Sequence, residues 1–198
     1  MTLYKIIQAV IRFFLFFVFR IKVYGKENIP IDGGVMFTIN HRSYWDVVIV
    51  GANSPRKLNF MAKSELFDNK LFGKLITALG AFPVHRGKGD LGAVRATLSM
   101  LRSGNAVAMF PEGKRVKDGE KIVPKPGAVM LALRAQIPIV PVRIEGGYKW
   151  FSKVNVFFGK PVEYSEYYNE KVMIDTLQEL SNELMNKIRT LNTENYNV

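Results

Sequence analysis

Val35-Met36-Phe37-Thr38-Ile39-Asn40-His41-Arg42-Ser43-Tyr44-Trp45-Asp46-Val47-Val48-Ile49-Val50 changes character twice within a short span. Residues 35–39 form an apolar run of strand length, 40–43 are polar, and Ser43 stands where a hydroxyl can cap a helix over 44–50. A strand that passes its chain through a polar turn into a helix is a building unit of layered α/β folds.

The same alternation continues on both sides. Upstream, 21–24 reads as a strand, and 25–34 is turn-rich, with Pro30 and Asp32-Gly33-Gly34. Downstream, Ser64 opens a helix expected through 79, with Glu65 in its first turn. A strand over 82–84, a helix over 91–102 ended by Gly104 and a buried strand over 106–110 follow. Beyond a loop at 111–126 come a helix over 127–136, strands at 139–144 and 154–158, and a last helix over 170–191. This predicts an α/β fold with a central sheet flanked by helices, mixed where short connections force antiparallel neighbours. Residues 21–198 contain no linker, repeat or low-complexity stretch and read as a single domain.

Composition narrows the chemistry. Cysteine is absent, which removes disulfides, thiolate metal sites and a thiol nucleophile, and His41 and His85 are the two histidines. No metal is expected. The net charge of +11 suits anionic partners: nucleic acid, anionic lipid or an acidic carrier protein. The N-terminal sequence favours lipid, because residues 3–19 are apolar and aromatic apart from Lys5, Gln8 and Arg12, with Arg20 closing the run.

As a helix that run reaches about 26 Å at roughly 1.5 Å per residue, short of a hydrocarbon core of about 30 Å. Spanning would set Arg12 near mid-bilayer at a cost of roughly 2.5–3.5 kcal/mol. A signal peptide would need a small-residue cleavage site, which Arg20-Ile21-Lys22-Val23-Tyr24-Gly25 lacks. A buried core helix is the plain alternative. Residues 1–20 are expected to lie in the membrane interface as an anchoring helix, with basic flanks on anionic headgroups.

Two loops carry candidate chemistry. In the first, His41 sits on the turn and Asp46 in the first helical turns, so the carboxylate can fold back on the imidazole and leave the other ring nitrogen to take a proton from a hydroxyl. His85-Arg86-Gly87-Lys88-Gly89-Asp90 has the same His-to-Asp separation, and spacing alone does not choose between them. The first follows an apolar strand and enters an apolar helix, whereas the second lies in a Gly-rich basic loop. Ser43 is a nucleophile or a cap, and its place at a helix start favours the cap. The second loop, Phe110-Pro111-Glu112-Gly113-Lys114-Arg115, reads as an anion cradle or an ordinary basic turn. Gly113 permits close backbone approach, and Lys114 and Arg115 supply charge for phosphate oxygens. Arg86 and Lys63 join it if the fold gathers loops at one edge. No Walker-type loop is present.

These motifs, in order, resemble the glycerophospholipid acyltransferases, and within them the 1-acyl-sn-glycerol-3-phosphate acyltransferases. Asn40-His41-Arg42-Ser43-Tyr44-Trp45-Asp46 is similar to the Asn-His-x-Ser-x-x-Asp block, preceded by Gly25-Lys26-Glu27-Asn28-Ile29-Pro30. Gly80-Ala81-Phe82-Pro83-Val84-His85-Arg86 resembles the second block and Phe110 to Arg115 the third, Phe-Pro-Glu-Gly-Thr-Arg, with Lys114 in place of Thr. Lys125-Pro126-Gly127 and Ile137-Pro138-Ile139-Val140-Pro141-Val142 resemble the fourth. The resemblance covers residues 21–160.

It implies direct acyl transfer from an acyl-carrier protein or acyl-coenzyme A thioester to the sn-2 hydroxyl of lysophosphatidic acid, without a covalent acyl-enzyme or a cofactor. His41 is then the base and Asp46 its orienting carboxylate. Arg86, Glu112, Gly113, Lys114 and Arg115 hold the phosphate, with Asn40, Ser43 and Lys63 supporting. The cytoplasmic face of the cell membrane follows from the donor. Another lysophospholipid or glycerol 3-phosphate as acceptor, or a lipid-binding protein without turnover, are the rivals. Nucleic acid has only net charge behind it.

Overall fold

The continuous apolar run at 35–39 becomes a strand buried along its whole length, β2 (Val35–Ile39), as a strand covered on both faces requires. The computed structural model describes residues 3–84, 90–117, 119–120 and 122–196. Around β2 lie β1 (Arg20–Tyr24), β3 (Leu58–Lys63), β4 (Ala81–Val84), β5 (Ala106–Met109), β6 (Ile139–Gly146) and β7 (Lys153–Phe158), in the order β1-β7-β6-β2-β5-β3-β4. The neighbours pair in parallel except β6 with β7. Those two are joined by 147–152, too short for a crossover, so they form a hairpin and make the sheet mixed as expected.

The helices are α1 (Leu3–Val18), α2 (Trp45–Asn53), α3 (Lys70–Ala78), α4 (Leu91–Arg102), α5 (Gly127–Ala135) and α6 (Ile174–Thr190). Alternate residues of β2 point to opposite faces. Val35, Phe37 and Ile39 pack with Ile49 and Val50 of α2 and Leu15 of α1, while Met36 packs with α4, α5 and α6. The crossover from β2 to β3 places α2 on the first face.

Two expectations are corrected. Leu58–Lys63 is a strand that the sequence reading had not assigned, and the single helix expected over 64–79 is divided. Ser64–Phe67 forms a 3₁₀ turn, after which the Asn69 side chain accepts from the N–H groups of Leu71 and Phe72 at 3.1 and 3.0 Å and starts α3 afresh.

α1 directs three of its polar side chains, Tyr4, Gln8 and Arg12, at the end of α2. The Tyr4 hydroxyl, Gln8 amide and Arg12 guanidinium donate to the carbonyls of Gly51, Ala52 and Ser54, which the C-terminal end of α2 leaves without helical partners. Phe13, Phe14, Phe16 and Phe17 face outward. Arg12 thus has a place in the fold that needs no bilayer. Among the described residues no helix is long and apolar enough to cross a membrane.

Candidate active site

Asn40 fixes where β2 ends. Its side chain donates to the Ile144 carbonyl at 2.9 Å and accepts from the Ile144 N–H at 2.7 Å, which locks the turn to β6. The chain then leaves the sheet through His41, and α2 begins at Trp45 with Asp46 fully buried in its first turn. Asp46 Oδ2 accepts from His41 Nδ1 at 2.9 Å and from the N–H groups of Arg42 and Ser43 at 2.7 and 2.8 Å. Its Oδ1 accepts from the Tyr148 hydroxyl at 2.5 Å.

Because Nδ1 faces a carboxylate, it is the donor, and Nε2 keeps its lone pair. The imidazole lies against the Phe110 ring, centroids 3.9 Å apart and 22° between planes, with 16 % of the side chain exposed. Its main chain is held as well: the His41 N–H donates to Glu112 Oε2 at 2.5 Å and its carbonyl accepts from the Val116 N–H at 2.8 Å. The two predicted loops are therefore bonded directly to each other at His41.

The second loop divides its tasks. Glu112 is buried, and burial pushes its carboxyl up from the ordinary range, opposed by the His41 N–H and the positive Arg189. Its carboxylate is turned to the main chain of His41. Gly113 adopts φ +69°, where a Cβ would also come within 3.0 Å of Lys125. Its N–H donates to the Phe110 carbonyl. Lys114 pairs with Glu120 at 2.5 Å within the loop. Arg115 reaches across instead: its Nη2 donates to the Tyr44 hydroxyl at 3.0 Å, and the guanidinium lies 3.7 Å from the Tyr44 ring centroid.

Lys63 ends β3 exposed. The registers Phe60↔Ala108 and Lys63↔Val84 put it at the same carboxyl edge as the second loop. Arg86 and His85 lie outside the described residues. Asp90 accepts from the Ala93 N–H and caps α4. The Ser43 hydroxyl accepts from the Trp45 N–H at 3.3 Å, but the N-cap position of α2 is Tyr44 and carries no side-chain cap bond, so the cap expected of Ser43 is corrected to a local turn contact. A cleft of about 350 Å³ lies between Asn40, Arg42, Glu112, Arg143 and Arg189 and reaches Met185 and Ile188 of α6; the His41 side chain does not line it. Tyr148 was missed by the sequence reading, since it lies 102 residues from Asp46 and in no motif.

Residues 20–145 match the family model described as Acyltransferase. The chain is 32 % identical over 183 residues to the 1-acyl-sn-glycerol-3-phosphate acyltransferase of Bacillus subtilis (strain 168), an alignment covering 86 % of this chain and 91 % of that protein. It is 30 % identical over 179 residues to the protein of the same description from Streptococcus pneumoniae (strain ATCC BAA-255 / R6), covering 86 % of this chain and 66 % of that one. The crystal structure of the 1-acyl-sn-glycerophosphate (LPA) acyltransferase PlsC from Thermotoga maritima superposes with a TM-score of 0.71 at 23 % identity, over 96 % of this chain and 82 % of that one.

Proposed function

The chain belongs to the acyltransferase family, and from that premise we propose that it transfers a fatty acyl group from an acyl-carrier protein or acyl-coenzyme A thioester to the sn-2 hydroxyl of 1-acyl-sn-glycerol 3-phosphate. The product is phosphatidic acid. The observation that carries this reading is the buried Asp46 carboxylate on His41 Nδ1, which leaves Nε2 as a base at the edge where both loops meet. The relatives' descriptions supply the acceptor class.

In this reading Nε2 takes the acceptor's hydroxyl proton as its oxygen attacks the thioester carbonyl. The C–O bond forms, the tetrahedral centre collapses with loss of the C–S bond, and the imidazolium returns its proton to the departing thiolate. Asp46 stays charged throughout and holds the ring. The chemistry needs no metal or cofactor. Arg115, Lys63, Arg86 and the Gly113 turn take the phosphate, with Lys114 joining by exchanging Glu120 for it. Glu112 serves through the main chain of His41.

The acceptor is a membrane lipid, and the outward phenylalanines of α1 with the basic surface suit a protein lying on the cytoplasmic face of the cell membrane through residues 1–20.

The test is thiol release from both thioesters, with and without lysophosphatidic acid. Release that depends on the acceptor and drops about 10²–10⁴-fold in His41→Ala is expected. Release indifferent to the acceptor, or unchanged in His41→Ala, would overturn the reading.

A further inference from the structure

The turn between β6 and β7 has two ends with different surroundings. At its tip Trp150 is 70 % and Phe151 49 % exposed, their rings 6.1 Å apart. Phe151 holds φ +58°, a conformation that a bulky side chain rarely takes without outside support. That support comes from the end of α1 and the start of β1. The Phe151 N–H donates to the Val18 carbonyl at 2.7 Å, and Arg20 donates to the Phe151 and Ser152 carbonyls at 3.1 and 2.9 Å. At its inner end, the same turn delivers the Tyr148 hydroxyl to Asp46. Burial, and then the bond to Asp46, holds that phenol far above its ordinary value, so it remains a donor across any assay pH.

Among the described residues the ring contact of Trp150 is with Phe151 alone. Trp is enriched at the headgroup level of bilayers, and the exposed cations Arg20, Lys149 and Lys153 flank the pair as an anionic lipid surface requires. The tip is also tied to the last turn of α1, whose Phe16 and Phe17 are exposed.

We propose that the 147–152 hairpin is a bilayer-contact element separate from α1, and that its seating in an anionic lipid surface holds Tyr148 on Asp46 and so ties turnover to engagement of the membrane. The coupling rests on the acyl-transfer reading, whereas the contact does not. Tyr148 is a positioning residue: it touches the carboxylate that orients the base.

The chain has two tryptophans, so Trp45→Phe leaves Trp150 as the only reporter. On vesicles of phosphatidylglycerol and phosphatidylcholine, brominated acyl chains should quench its emission at least twofold relative to plain chains. Unchanged emission from fully bound protein would overturn the contact, with or without turnover. Trp150→Ser should lower turnover about tenfold on acceptor in vesicles and leave turnover on a dispersed short-chain acceptor unchanged. Tyr148→Phe should lower kcat about tenfold on acceptor in vesicles with KM for the thioester unchanged, and should leave turnover on the dispersed acceptor unchanged, because without a bilayer the hairpin is not seated. On vesicles the double variant should be no slower than Tyr148→Phe alone, because coupled residues are non-additive. Losses that multiply would overturn the coupling. Quenching without turnover on any acceptor would overturn acyl transfer and the coupling together, leaving the contact standing.

Discussion

Asp46 collects four hydrogen bonds on one buried carboxylate, from His41, Arg42, Ser43 and Tyr148. Glu112, one loop away, collects the His41 N–H and pays a desolvation cost for its charge. Its pKa is raised in the folded state, so the native protein binds the extra proton first. Stability linked to Glu112 is complete below the ordinary carboxyl range and is lost as pH rises through the raised value. Glu112→Gln keeps an oxygen for the His41 N–H without the charge. Urea melts should therefore find it more stable than the wild type at pH 8, with the advantage shrinking toward pH 4. A less stable Gln variant at pH 8 would mean that the charge is net favourable. Glu112→Ala leaves the His41 N–H without its acceptor and should cost about 1–3 kcal/mol. At this scale the His41–Asp46 pair was legible, because a turn into a helix brings those positions together. The partners of Asp46 and Glu112 on distant segments were not, since Tyr148 and the His41 N–H meet them only through the tertiary fold.

α1 shows what a composition reading loses. Tyr4, Gln8 and Arg12 recur every four residues and so lie on one side of the helix, but only the structure shows that this side faces the carbonyls at the end of α2. Replacing Arg12 by Ala should destabilise the fold by roughly 1–2 kcal/mol, through lost hydrogen bonds to a helix C-terminus. Replacing both Phe13 and Phe16 by Ser should leave the melting temperature nearly unchanged and weaken vesicle binding in a flotation assay. If instead the Ser variant melts early, the outward face is packed in solution. β3 escaped the sequence reading because Asn59 and Lys63 break its apolar run, although the Asn59 amide is satisfied by the Ala106 carbonyl inside the sheet. The 64–79 helix was misread because the apolar pattern runs through Asp68-Asn69 while the cap at Asn69 restarts the backbone.

Across the whole molecule, alternation of strand and helix sufficed for the α/β class and the mixed sheet. Strand order did not follow from it, since crossover lengths do not say which neighbour a strand skips. The order matters because it brings β2, β5 and β3 side by side, so that the ends of three strands far apart in sequence share one edge. The +11 charge belongs to this scale as well. Each cation near an anionic leaflet contributes roughly 1 kcal/mol, so binding to anionic vesicles should exceed binding to neutral ones by at least about tenfold at low salt and fall as salt rises. Equal binding to both at every salt would show that the charges lie away from the contact face.

The pairing of β1 with β7 also sets an order of events during synthesis. Arg20 precedes Phe151 by 131 residues, so at about 5–20 residues per second the first strand waits roughly 7–26 s for its partner to emerge. Throughout that interval α1 is already made, with its aromatic outer face uncovered. The nascent chain therefore presents its apolar helix to the cell's surfaces and chaperones before the sheet edge beside it can close.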